Sequence, residues 1–210
     1  MKNLKGLDTP VKRVALALAV AALVQAGSAL AALELRDITG HATVVEADAQ
    51  FAYDTVLDAT WYLTANNTGL NWNDAKSWAA GLTVGTFSGW SLPAADETCS
   101  GFNCTASQMG ELYYTALGNP AGGPLSNTGP FKNLQSPYYW SGAEYAPSPG
   151  VAWGFGTYSG NQVVLYKSYV LYALAVRPGD VAAVPEPETV ALFLAGLAGV
   201  LVMRRRPVGA

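Results

Sequence analysis

Two prolines, Pro185 and Pro187, cut an unbroken apolar run, Val190 to Met203, away from everything upstream. Each lacks a backbone donor and fixes φ, so no helix or central strand continues through Val184-Pro185-Glu186-Pro187, and the run must begin afresh. The chain before it has to fold without it. The segment 190–203 holds 14 residues. As a helix it would span about 21 Å at about 1.5 Å per residue, against about 30 Å of hydrocarbon. A core helix needs a polar face and this segment has none, so membrane insertion is the favoured reading and a buried core helix the alternative. Arg204, Arg205 and Arg206 follow directly. Their long stems reach lipid headgroups and make up part of the missing length.

The other end has the same signature. Lys2, Lys5, Lys12 and Arg13 precede the apolar stretch Val14 to Val24, and Ala29-Leu30-Ala31 supplies the small residues of a cleavage site. This pattern predicts a signal peptide over 1–31, with an uncleaved anchor helix as the alternative. Positive flanks stay cytoplasmic, so the chain between the two ends is expected outside the inner membrane.

Pro185-Glu186-Pro187, the apolar run and the arginine cluster, in that order, resemble the PEP-CTERM sorting signal. The resemblance implies recognition by an exosortase, a membrane-embedded transpeptidase-like enzyme, and cleavage near the Pro-Glu-Pro motif. It further implies a Gram-negative envelope protein, anchored in the membrane by its C-terminal helix before processing and then moved to the cell surface or exopolysaccharide matrix. Signal peptidase would be the partner at the other end.

Residues 32–184 carry five cations against twelve carboxylates, five minus twelve giving −7, although the whole chain carries −3. Such a segment has no electrostatic footprint for nucleic acid. All six tryptophans and all eleven tyrosines fall within it, and Gly and Pro punctuate it every few residues, which favours short strands and long loops. Two helices are expected. One is capped by Asn73, with Ala75, Trp78, Ala79 and Leu82 on its apolar face. The other follows a capping box at Thr105–Gln108 and carries Met109, Leu112, Tyr113, Ala116 and Leu117. Strands are expected over 55–63, 138–141, 151–155, 162–167 and 169–176, with a hairpin turn at Gly160-Asn161.

Cys99 and Cys104 are the two cysteines of the chain. In an oxidising envelope two cysteines this close are read as a disulfide, with redox or metal roles as the weaker alternatives. A zinc site would need four ligands, and His41 is the single histidine. No metal site and no cofactor are expected.

Trp72-Asn73-Asp74-Ala75, Gly89-Trp90-Ser91-Leu92-Pro93, Tyr139-Trp140-Ser141-Gly142, Ala152-Trp153 and Ala175-Val176-Arg177-Pro178 follow an order similar to that of the Lcl C-terminal-like domain, a family without an assigned activity. The resemblance covers about 54–180, leaving 32–53 as an N-terminal extension and 181–210 as the sorting region. It implies an α+β, C-type-lectin-like or sulfatase-modifying-factor-like domain with short strands, two helices and long loops. Ser91 departs from the family, which has arginine there.

Nucleophilic catalysis is disfavoured because His41 is remote from any serine. Glycan cleavage would need two carboxylates from Asp96, Glu97, Glu111 and Glu144, and no spacing brings a pair together. Trp72-Asn73-Asp74 repeats a calcium-lectin triplet in letters, but at a helix start. A sugar surface could use aromatic faces with a carboxylate, and Glu144, Tyr145 and Tyr158 are the candidates, Trp140 and Trp153 being assigned to the core. The sequence thus points to an exported, non-catalytic binding or structural protein associated with exopolysaccharide or biofilm, with a carboxylate enzyme acting on glycans as the alternative.

Overall fold

The computed structural model describes residues 33–182. The expected signal peptide, the helix 190–203 and the motif residues Pro185, Glu186, Pro187 and Arg204 to Arg206 lie outside the described residues. Nine short strands form two sheets. β1 (Leu33–Arg36), β2 (Phe51–Asp54), β3 (Ala59–Tyr62) and β9 (Val176–Pro178) make an antiparallel sheet in the order β1-β2-β3-β9. β4 (Asn66–Leu70), β5 (Tyr138–Glu144), β6 (Val151–Gly156), β7 (Asn161–Tyr166) and β8 (Leu171–Ala173) make the second, in the order β4-β8-β5-β6-β7. Within it β5 and β8 run parallel and the other neighbours antiparallel.

α1 (Trp72–Gly81) is the one regular helix among the described residues. Its cap is Asn71, not Asn73: the Asn71 side chain accepts the Asp74 N–H at 3.0 Å. The second helical segment is a single α-turn, α2 (Gln108–Gly110), capped by Ser107, which passes into a π-helical stretch, Glu111–Ala116. Gly110 is dictated by crowding, because a Cβ there would lie 2.0 Å from the Cys104 carbonyl oxygen. Met109, Leu112, Tyr113 and Leu117 are all buried, as their spacing predicts.

The core has two clusters. One gathers Trp61, Leu63, Met109, Leu112, Tyr139 and Phe155, and the other Phe51, Trp72, Trp90, Trp140, Ala152 and Val181. Consecutive strand residues point to opposite faces, so Tyr139 enters the first cluster and Trp140 the second, and Ala52 and Phe51 divide in the same way.

These observations correct the expected α+β, C-type-lectin-like or sulfatase-modifying-factor-like domain. The described chain is mostly β, with two sheets and two short helical segments, and no helix among its described residues is long and apolar enough to cross a membrane. The stretch expected as an extension, 32–53, supplies β1 and most of β2. A strand buried on both faces shows no polar alternation, so Phe51–Asp54 leaves no periodic trace.

Candidate functional site

A cleft of about 410 Å³ opens beside α1, lined by Lys76, Ala80, Trp90, Leu92, Glu97 and Gly142. Its walls come from segments that the sequence marks with tryptophan. Trp72 Nε1 donates to the Ser141 carbonyl at 2.9 Å, Trp140 Nε1 to Leu70 at 2.8 Å and Trp90 Nε1 to Phe87 at 3.0 Å. The Trp72 and Trp140 rings thus tie distant segments together, while Trp90, bonded within its own loop and 3% exposed, offers no open face to a ligand. Ser91 pairs through its backbone with Val176, and the Arg177 guanidinium lies 5.9 Å from the Trp90 ring centre and 5.6 Å from that of Phe87.

Glu144, Tyr145 and Tyr158 do not form one site. Glu144 pairs with Lys167, whose ammonium also lies 4.2 Å from the Trp72 ring centre. Tyr145 packs edge-on against Trp153 at 5.4 Å between ring centres. Glu144 lies opposite Ala152 and Tyr138 opposite Gly156, so Tyr158, hydrogen-bonded through its hydroxyl to Tyr138 at 2.7 Å, sits at the other end of the β5–β6 hairpin. Burial raises the Tyr138 pKa, and the hydrogen bond shared with Tyr138 lowers that of Tyr158.

The corner that does hold Glu144 and Tyr145 carries further aromatic surface. The β7 register sets Tyr166 opposite Val151 and Val164 opposite Trp153. Tyr166 and the following Tyr169 meet edge-to-face at 5.6 Å, 61% and 48% exposed, with Val170 beyond them.

The carboxylates are dispersed. Asp96 is held by the Thr98 hydroxyl and N–H, which lower its pKa. Glu97 stands on the cleft rim. Glu111 is buried against Asp54, a residue of β2. Asp54 accepts the Val56 and Leu57 N–H groups at 3.0 and 3.1 Å and Trp61 Nε1 at 3.4 Å. Both Glu111 carboxyl oxygens lack any N–H or O–H donor. An ionised Glu111 would thus be a buried anion beside another. Desolvation first, and then Asp54, pushes its pKa up to about 8, so at neutral pH it is protonated and donates to Asp54. Spacing hides this pair because a π-helix turns residue 111 inward at a position that an α-helical stripe starting at Met109 leaves outside.

Cys99 and Cys104 are joined, S–S 2.08 Å, in a loop that Gln162 pins by donating to the Asp96 and Cys99 carbonyls. His41 is exposed and bonded to Thr39. No group of three or more acidic, histidine or cysteine side chains among the described residues is placed to hold a metal ion.

The chain leaves the fold under firm restraint. The Gly179 N–H donates to Asp58 at 2.8 Å and its carbonyl accepts the Thr60 hydroxyl at 2.7 Å. Asp180 takes Arg36 Nε at 3.1 Å and Nη2 at 2.7 Å, and Val181, 2% exposed, packs into the core. Ala182 is the last described residue.

Residues 183–206 match the PEP-CTERM protein-sorting motif. The match contains Pro185, Glu186, Pro187 and the three arginines, and its motif marks an exported protein that an exosortase processes and sorts to the cell envelope. No curated protein is similar to the chain. The sorting motif therefore begins one residue past Ala182, directly behind the Arg36–Asp180 pair. The C-terminal letters alone carry the motif; nothing in them discloses that pair, whose members lie 144 positions apart.

Proposed function

We propose that the segment ahead of the sorting motif is a non-catalytic module, displayed at the cell surface or in the extracellular matrix, that binds polysaccharide. The observation that carries this reading is the exposed Tyr166–Tyr169 pair. Open tyrosine faces stack on pyranose rings, and neighbouring polar groups take hydroxyl hydrogen bonds. Glu144 and Lys167 supply such groups at the same corner. A binding role is favoured over glycan cleavage because cleavage needs two carboxyl groups flanking a bond that substrate can reach, whereas Glu111 and Asp54 are buried and Glu144 is tied to Lys167.

The test is retention of the purified folded segment on exopolysaccharide from the producing cells. Each lost ring contact weakens binding by about 0.5–1.5 kcal/mol, so Tyr166→Ala with Tyr169→Ala should lower affinity roughly tenfold. Tyr158→Ala, at the far end of the hairpin, should leave it unchanged. Absence of wild-type retention at every salt concentration would reject the reading, as would full retention by the double variant.

A further inference from the structure

We infer that the face from which the chain leaves the fold, built from Glu34, Arg36, Asp37, Asp58 and Asp180, is a docking surface for the exosortase itself. The inference rests on exosortase sorting and adds a second contact beyond the motif.

The argument begins with slack. Val181 is buried against Gly40 and Phe87, and a Cβ on Gly40 would come 2.1 Å from the Val181 carbonyl oxygen. The Ala182 N–H is bound to Asp180 Oδ1 at 2.9 Å. From Ala182 to Pro185 is three residues, at most about 10 Å of extended chain. An enzyme that reads Pro185-Glu186-Pro187 must approach to within about that distance of the folded surface, unless the end of the fold is peeled away. Peeling would break the Gly179 hydrogen bonds, the bidentate Arg36–Asp180 contact and the burial of Val181 together. The intact face is therefore what the enzyme meets.

That face has a defined charge. Arg36 is 6% exposed and shared between Glu34 at 2.6 Å and Asp180 at 2.7 Å, so its own charge is spent within the fold. Asp37 closes the neighbouring turn by accepting the Thr39 and His41 N–H groups, and Asp58 accepts the Tyr53 hydroxyl at 2.8 Å. Four carboxylates stand against one buried guanidinium, with Ile38, 44% exposed, among them. Opposite charge speeds encounter and fixes orientation, so the complementary partner is a cationic outer face on the membrane-embedded enzyme.

The experiment uses the full chain in cells that process it, following conversion of precursor to mature form by pulse-chase. Glu34→Gln with Asp58→Asn removes charge while keeping an acceptor for Arg36 and for the Tyr53 hydroxyl, and asparagine tolerates the positive φ of Asp58. A second variant inserts ten Gly/Ser residues between Ala182 and Ala183, leaving face and motif intact but apart. Both should slow processing, roughly threefold to tenfold, while the purified segment keeps wild-type thermal unfolding. Wild-type processing rates in either variant, or faster processing after the insertion, would overturn the inference. Pro185→Ala with Pro187→Ala separates the two levels. It should abolish processing, and normal processing there would instead overturn sorting through the motif.

Discussion

Glu111 makes stability depend on pH in an unusual direction. Most carboxylates are stabilised by folding as anions, but this one is held neutral between the π-helix and β2. Below pH 4.5 native and unfolded chains both carry the proton. Between 4.5 and about 8 the native state alone keeps it, so stability falls as pH rises, and above about 8 the fall ends. A rise from 4.5 to about 8, at about 1.4 kcal/mol per unit, corresponds to about 5 kcal/mol. That is a large part of the 5–15 kcal/mol typical of a domain (about 0.1 kcal/mol per residue). Asp37 and Asp96, lowered chiefly by the Thr39 and Thr98 hydroxyls, contribute stability that is lost only as pH falls below the ordinary carboxylate range. Tyr139, pushed up to about 12 by burial, acts above pH 10. The window from 5 to 8.5 therefore reports Glu111. Urea unfolding followed by tryptophan fluorescence should show the midpoint dropping steadily across it. Glu111→Gln, whose amide donates to Asp54 at any pH, should flatten the profile and exceed wild type at pH 8.5. A flat wild-type profile, or an unchanged slope in the variant, would refute the shared proton.

Gly40 has φ +89° and no room for a Cβ against Val181. Gly40→Ala should cost about 1–3 kcal/mol, read as a lower urea midpoint with an earlier loss of protection at Val181 in hydrogen exchange. Cys99 and Cys104 close a short loop, and Cys99→Ala with Cys104→Ala should cost about 2 kcal/mol by calorimetry. Lys167→Met leaves Glu144 without its partner but keeps a stem over Trp72. At an exposed pair this should cost about 1 kcal/mol or less in the same calorimetric measurement.

What the sequence discloses follows from how local each signal is. The sorting motif is a run of contiguous letters, so it stands out. The cysteine pair lies five residues apart, and the β6–β7 hairpin is closed by a short turn, Thr157–Gly160, with Asn161 opening β7 opposite Gly156, so both are legible to within a residue or two. The buried stripe from Met109 to Leu117 is visible because its spacing survives the change from α to π winding. Strands of four or five residues, such as Leu33–Arg36, Phe51–Asp54 and Asn66–Leu70, are too short to show a period and pass for loops, and the expected strand 169–176 divides into Leu171–Ala173 and the start of Val176–Pro178, in two different sheets. Trp140 and Trp153, assigned to the core, are buried, and Trp72, Trp90 and Trp140 each spend the ring N–H on a backbone carbonyl. Tyr166 and Tyr169 carry no distinguishing letters, and their exposure comes from ending the outermost strand of the second sheet. Glu144 and Tyr145, adjacent in sequence, engage different partners: Glu144, the last residue of β5, pairs with Lys167, and Tyr145, just past the strand, packs against Trp153.

The most direct test of the account is the intact mass of the protein recovered from the envelope and matrix fractions of cells that process it. The predicted product has lost the leader and ends near Pro185-Glu186-Pro187, with residues 33–182 whole and the Cys99–Cys104 bond formed. Recovery of the uncleaved 210-residue chain from the cytosol, with both cysteines reduced, would contradict it.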